Sequence, residues 1–172
     1  MNIDLQLFNS ENFTKNEISS PYYFIIIIDG TADFLIDFNQ YSTNGKTLIF
    51  LSPYQLLQWK EVTFSDLRIL KFHGDFYCIE YHKEEVACNG ILFNSIYETP
   101  FVNVSDIIFN EIKWITDKLK SLQSATFSYD IAVSKTYLQL ILALSSREKQ
   151  LQNETNSPKI TDSLNFSNLL ES

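Results

Sequence analysis

Cysteine, histidine, glycine and basic residues are all scarce in this chain, and each shortage excludes something. Two cysteines, Cys78 and Cys88, in 172 residues rule out a disulfide-dense scaffold. Both are expected to stay reduced, because only an oxidising compartment would join them. The four glycines, Gly30, Gly45, Gly74 and Gly90, are too far apart for a loop that cradles phosphate. Lys and Arg number 13 against 21 Asp and Glu, a net charge of −8. A domain this acidic repels phosphate backbones, so the chain is not expected to hold DNA by itself. The longest strongly apolar run, Phe24 to Ile28, is too short to span a bilayer. The start, Met1-Asn2-Ile3-Asp4, lacks the basic and apolar stretches of an export signal. A cytoplasmic protein without membrane contact is the expectation.

What is present is a core-former's composition. Apolar residues make up 45% and aromatic residues 15%, with 14 Phe and 9 Tyr, which suits broad sheet contacts. The length allows one domain. Gly30, Gly45 and Gly90 follow Asp or Asn, dipeptides that favour the positive-φ turns of hairpins. No glycine occurs after position 90. The pattern therefore predicts about seven short strands, then helices. Residues 1–20 read as an N-terminal strand or arm. Tyr22 to Ile28 is apolar on both faces, as in a strand buried on both sides. Reversals are expected at Asp29-Gly30 and at Asn44-Gly45. Asp33 to Phe38 puts Phe34, Ile36 and Phe38 on one face. Pro53 stops the strand from Lys46 to Leu51. Gln55–Trp59, Asp66–His73 and Asp75–Tyr81 follow. Turn signals this regular predict a closed all-β barrel or sandwich.

Beyond Pro100 the period changes. Ser105 is a good N-cap, with Asp106 at the positive helix end. Ile108, Ile112, Ile115, Leu119 and Leu122 form one stripe of a first helix. A second helix, from Ser128 to about Gln152, carries two stripes: Val133, Tyr137, Leu140 and Leu144, and Ile131, Leu138 and Ile141 with Leu142. A helix apolar on two sides must be covered on two sides. A second copy of the chain is the expected cover for one of them, with Ile131, Leu138, Ile141 and Leu142 as the candidate dimer contact. Gln152 to Ser163, with Pro158, reads as a linker. Leu164 to Leu170 resumes an apolar pattern.

Several stretches, taken in order, resemble a known family. They are Tyr23 to Gly30, Ile36-Asp37-Phe38, Leu51-Ser52-Pro53-Tyr54-Gln55 and Phe72-His73-Gly74-Asp75-Phe76, followed by Cys88-Asn89-Gly90-Ile91-Leu92-Phe93-Asn94. With the two helices, this order resembles the effector-binding half of AraC-type transcription regulators, from about Pro21 to Gln152. The resemblance implies a mainly β fold with C-terminal α, a cupin-like jelly-roll barrel followed by two α-helices. Residues 1–103 would form the barrel with its N-terminal arm, 104–152 a helical pair for dimerisation, and 153–172 a linker toward a DNA-binding domain absent from this chain. The barrel would bind an unknown small-molecule effector, the chain would be a homodimer, and DNA would be met only through that C-terminal module.

Candidate interior residues are Tyr23, Ile25, Phe34, Ile36, Phe38, Trp59, Leu67 and Ile69, with Lys71 as a charge. They line a ligand site, or they simply fill the barrel. Aliphatic Leu67 and Ile69 stand where sugar-sensing relatives carry polar and aromatic contacts, which favours an apolar or aromatic effector. A metal-dependent cupin enzyme is the rival reading. Cys78, Glu80 and His82 share a strand face near His73, yet His73 and His82 are the only histidines and no His-x-His exists. Neither a metal nor a cofactor is expected, nor is catalysis. Nucleophilic chemistry at Cys78 or Cys88 lacks a supporting motif. A third reading is a dimerisation module with no guest.

Overall fold

The structure, a computed structural model, describes residues 3–74, 91–93, 98–124 and 127–156. The expected strand from Asp75 to Tyr81, the Asn89-Gly90 turn, both cysteines, Glu80, His82, the linker from position 157 and the Leu164–Leu170 segment lie outside those residues.

Five strands form one antiparallel sheet. They are β1 (Ile3–Phe8), β2 (Tyr23–Ile36), β3 (Asn39–Leu51), β4 (Leu57–Phe72) and β5 (Phe101–Asn103). Their order across the sheet is β1-β4-β2-β3-β5. Two helices follow, α1 (Asp106–Leu122) and α2 (Ser128–Asn156). The switch from strands to helices comes after β5, which lies in the glycine-free half and beyond Pro100, so it falls later than the sequence pattern placed it. Closure into a barrel is not seen: among the described residues the sheet ends at β1 and β5, which do not pair with each other.

The short strands expected either side of Asp29-Gly30 and of Asn44-Gly45 are corrected as well. Each pair lies inside a long strand. The true reversal is at Asp37-Phe38, between paired Ile36 and Asn39. Both turn residues have positive φ, 49° and 72°, as a two-residue hairpin matching the sheet's twist demands. The Asp37 side chain pins the turn by accepting from the backbone N of Leu56 at 2.9 Å. Gly30 instead marks a register shift between β2 and β4. A Cβ there would sit 2.0 Å from the backbone O of Thr63, so glycine permits the two strands to touch at a bulge.

The sheet curls on itself. Phe101 pairs with Ile49 on β3, and Tyr41 lies eight residues earlier on that strand, about 26 Å away if the strand were straight. Yet the Tyr41 and Phe101 rings are 6.3 Å apart. Alternation along β2 then serves two cores. Ile25 and Ile27 face α1 and α2, packing with Leu48, Phe50, Ile112 and Leu138. Phe24, Ile26, Ile28, Phe34 and Ile36 face inward, packing with Leu51, Trp59 and Ile69. Burial of β2 on both sides, expected from its unbroken apolar run, is thus observed. At about 1.5–3 kcal/mol for each fully buried large apolar side chain, this double burial makes β2 the central element.

α1 begins as its sequence predicts: Ser105 caps it, its hydroxyl accepting from the backbone N of Ile108 at 3.3 Å. Ile108, Ile112, Ile115 and Leu119 are buried on the sheet. A polar network fastens the helix to β4. Arg68 donates to Thr116 Oγ1 at 2.8 Å, to Asp117 Oδ1 at 2.6 Å and to Asp66 Oδ1 at 3.0 Å. Lys113 closes it on Asp66 at 2.7 Å.

Candidate functional site

The inner face is lined by rings. Phe34 meets Tyr41 at 5.9 Å and Trp59 at 5.9 Å, and Phe13 meets Trp59 at 6.0 Å and Phe64 at 5.3 Å. Phe13 and Ile18 come from the segment between β1 and β2, which covers the open side of the curl. That segment is held by the backbone pair Ile18–Leu57 and by Lys15 donating to the backbone O of Lys60 at 2.9 Å. One hydroxyl in this core, Thr43 Oγ1, is buried with no hydrogen-bond partner among the described residues. Thr43 stands opposite Ala32, on the inward side.

A cavity of about 210 Å³ opens on this same face near one end of β1 and β4. The register explains its lining. Asp4 pairs with Lys71 and Lys71 with Phe24, while Gln6 pairs with Ile69, so these side chains share one patch of the sheet. Glu17, Ile18, Ser19 and Ser20 form the facing wall. Opposite charges thus line a concave site without an ion pair between them. Among the described residues Lys71 makes no ion pair; its Nζ lies 4.9 Å from the centre of the Tyr22 ring, a cation–π contact. Asp4 accepts from Gln123 Nε2 at 3.0 Å, and Glu17 accepts from Gln58 Nε2 at 2.9 Å. Such a lining can take up a small ligand bearing charge, with Phe24 and Ile69 as its apolar floor.

The expected interior residues separate into three groups. Phe34, Ile36, Trp59, Leu67 and Ile69 are buried in the inner core, and Lys71 borders it in the cavity with Ile69. Tyr23 and Ile25 point the other way, toward the helices; burial raises the pKa of the Tyr23 hydroxyl. Phe38 is 78% exposed at the hairpin tip. Asp4, Gln6, Glu17, Ser19 and Ser20 were missed because the first twenty residues read as polar. The alternation of Ile3 and Leu5 with Asp4 and Gln6 was the available signal. The Ser52-Pro53-Tyr54-Gln55 corner ties the strand end to residues 91–93: Gln55 Oε1 accepts from the Ser52 backbone N at 2.8 Å, and Ser52 Oγ donates to the backbone O of Phe93 at 2.6 Å.

Apolar residues occur on two sides of α2, as its stripes predict, and the chain's own core covers one of them. Leu138, Ile141 and Leu142 are fully buried in the chain's own core, so they offer no contact to a second copy. Of the other stripe, Val133 is 43% and Leu140 44% exposed, while Tyr137 and Leu144 pack partly buried against the same core. With Ile107 and Trp114 of α1, Leu140 and Leu144 line an apolar groove of about 560 Å³ between the helices. Ile131, near the start of α2, is 37% exposed and does not line this groove.

Of the metal candidates only His73 is described, edge-on to the Tyr22 ring at 5.4 Å. Among the described residues no cluster of three or more His, Cys, Asp or Glu side chains is arranged to hold a metal ion. No described helix is long and apolar enough to cross a membrane.

The fold so described is mainly antiparallel β with two C-terminal helices. No protein-family model and no curated protein matches the chain. Solved structures that resemble it include the EutQ protein of Clostridium difficile, at 17% identity over 41% of this chain and 61% of that one, with a TM-score of 0.30. The AraC-like transcriptional activator CuxR is 12% identical over 78% of this chain and 47% of that one, TM-score 0.45. ToxT from Vibrio cholerae O395, bound to (E)-4-(8-methylnaphthalen-1-yl)but-3-enoic acid, is 12% identical over 87% of this chain and 58% of that one, TM-score 0.41. This chain spans less than two thirds of the length of each.

Proposed function

We propose that this chain is the sensory and dimerisation part of an AraC-type transcription regulator, acting in the cytoplasm without catalysing a reaction. A small effector binds on the inner face of the curled, cupin-like sheet. A second copy covers the outer face of the helices, and DNA is met through a separate module. The observation that carries the effector reading is the cavity on the inner face, where Lys71 and the carboxylates of Asp4 and Glu17 line one space without pairing with each other. The Thr43 hydroxyl, buried without a partner among the described residues, is a group that costs about 1–3 kcal/mol to leave unbonded, and it supports an inner face that accepts polar atoms. The exposed apolar groove supports the second copy. Glu111 and Lys118, two turns apart on α1, suit an antiparallel self-pairing in which each faces its opposite.

A thermal-shift screen of small charged and aromatic compounds tests the effector site. At least one compound should raise Tm saturably, and Lys71→Met should abolish that rise. A rise that survives the substitution would place the guest elsewhere. The ring-filled interior favours a second reading, a dimerisation module with no guest, and a screen in which nothing stabilises the fold would select it. For the groove, Leu140→Asp should yield a folded monomer in sedimentation; a folded dimer would remove the groove from the interface.

A further inference from the structure

Among the described residues the sheet ends at β1 and β5, and an edge strand presents a row of backbone groups that must be covered. Here the helices hide them with the same four-residue pattern. α1 carries Lys120-Ser121-Leu122-Gln123 and α2 carries Lys149-Gln150-Leu151-Gln152. On the β1 edge, Lys120 Nζ donates to the backbone O of Leu5 at 3.0 Å, and Gln123 Nε2 donates to the same oxygen at 3.4 Å. On the β5 edge, Lys149 Nζ donates to the backbone O of Thr99 at 2.6 Å, to Thr99 Oγ1 at 3.2 Å and to the backbone O of Phe101 at 3.1 Å. Gln152 Oε1 accepts from the backbone N of Asn103 at 3.3 Å.

Strand geometry shows what these bonds replace. Pro100 and Val104 bond back to β3, through Phe50 N and Lys46 O, so residues 99, 101 and 103 point their polar groups outward. Two side chains of α2 bond these outward groups where a neighbour strand would otherwise pair. The two locks differ in kind. Lys120 is exposed, whereas Lys149 is 1% exposed and its bonding partners among the described residues are all neutral oxygens. A buried cation without a bonded carboxylate is an expensive partner, and burial lowers its pKa against the opposing charge of Glu98. Phe101 connects this lock to the interior, because its ring packs on Tyr41 at the inner face while its carbonyl lies in the Lys149 grip.

We infer that Lys149 and Gln152 form a releasable latch that fastens the last turns of α2 to the β5 edge, and that the seating of the Phe101 ring sets how firmly it holds. The inference goes beyond the effector reading and does not require it, since every test uses the chain alone. Lys149→Met keeps the buried length and removes all three bonds. Hydrogen exchange should rise at least tenfold at amides 149–156 and at Asn103, with β2 and β4 unchanged. Should that variant fail to fold, Gln152→Ala removes one bond and should still raise exchange several-fold at Asn103 and in the last turn of α2. Phe101→Leu trims the ring without touching either side chain of the latch, and should speed exchange in those same α2 turns. Unchanged exchange there in the Lys149 or Gln152 variant, or a uniform rise across the chain, overturns the latch. Unchanged α2 exchange in Phe101→Leu overturns the link to the interior.

Discussion

At the scale of single residues, what matters most is where a side chain would not fit. Gly30 and Gly45 face each other across β2 and β3, and they are glycines for different reasons. At Gly45, with φ of +84°, nothing lies within 4 Å of where a Cβ would sit, so the demand is on backbone conformation alone. At Gly30 the demand is on space, since β4 backbone fills the Cβ position. Gly45→Ala should therefore cost about 1 kcal/mol. Gly30→Ala should cost at least about 3 kcal/mol, because a backbone atom cannot rotate aside. Urea unfolding of the two variants measures the gap, and equal losses would mean that the bulge does not need the close approach. The sequence singled out both residues but assigned both to hairpin turns. An Asp-Gly or Asn-Gly pair looks the same in a turn and at a bulge, and only the facing strand distinguishes them.

At the scale of elements, α1 is placed by charge as well as by its apolar stripe. The stripe, the Ser105 cap and the acidic first turn were all legible, because each is a local property of consecutive residues. The Arg68 network was not, because its members come from β4 and α1, nearly fifty positions apart. Burial pushes the Asp66 carboxyl up, but hydrogen bonds from Lys113 and Arg68 outweigh burial and hold it below its ordinary value. A carboxyl depressed by folding stabilises the fold above its unfolded pKa, near 3.8, and that stability is lost as pH falls through the lower folded value. The urea midpoint should fall as pH drops below about 4, while Asp66→Asn should begin lower and lose less over that window. Parallel acid limbs in the two proteins would mean that the network does not anchor α1. The placing of the α2 stripes has a similar origin. Periodicity identifies two apolar sides, and only packing decides which one lies inward.

For the molecule as a whole, the notable feature is that one sheet serves two cores. Each long strand contributes alternate side chains to the inner face and to the helical layer, so neither core can come apart without the other. The two tryptophans of the chain report on the two layers: Trp59 lies in the inner core, 7% exposed, and Trp114 on the outside of α1, 54% exposed. In Trp59→Phe and Trp114→Phe, fluorescence of the remaining tryptophan and far-UV circular dichroism should give coincident denaturation midpoints within each variant, the mark of a single cooperative unit. A separate, earlier transition at Trp114 would show the helices to be an independent layer.

The sequence by itself determined the division into strands and then helices, the burial of β2 on both sides, the start of α1 and the amphipathic stripes, because these follow from periodicity, capping and composition within short windows. Tertiary structure alone decided that the sheet curls with β1 and β5 unpaired among the described residues, which side of α2 is buried, that Asp4 and Lys71 line one cavity, and that Lys149 seals β5. Each of those depends on residues far apart in the chain coming within a few ångströms, and no local pattern encodes such a distance.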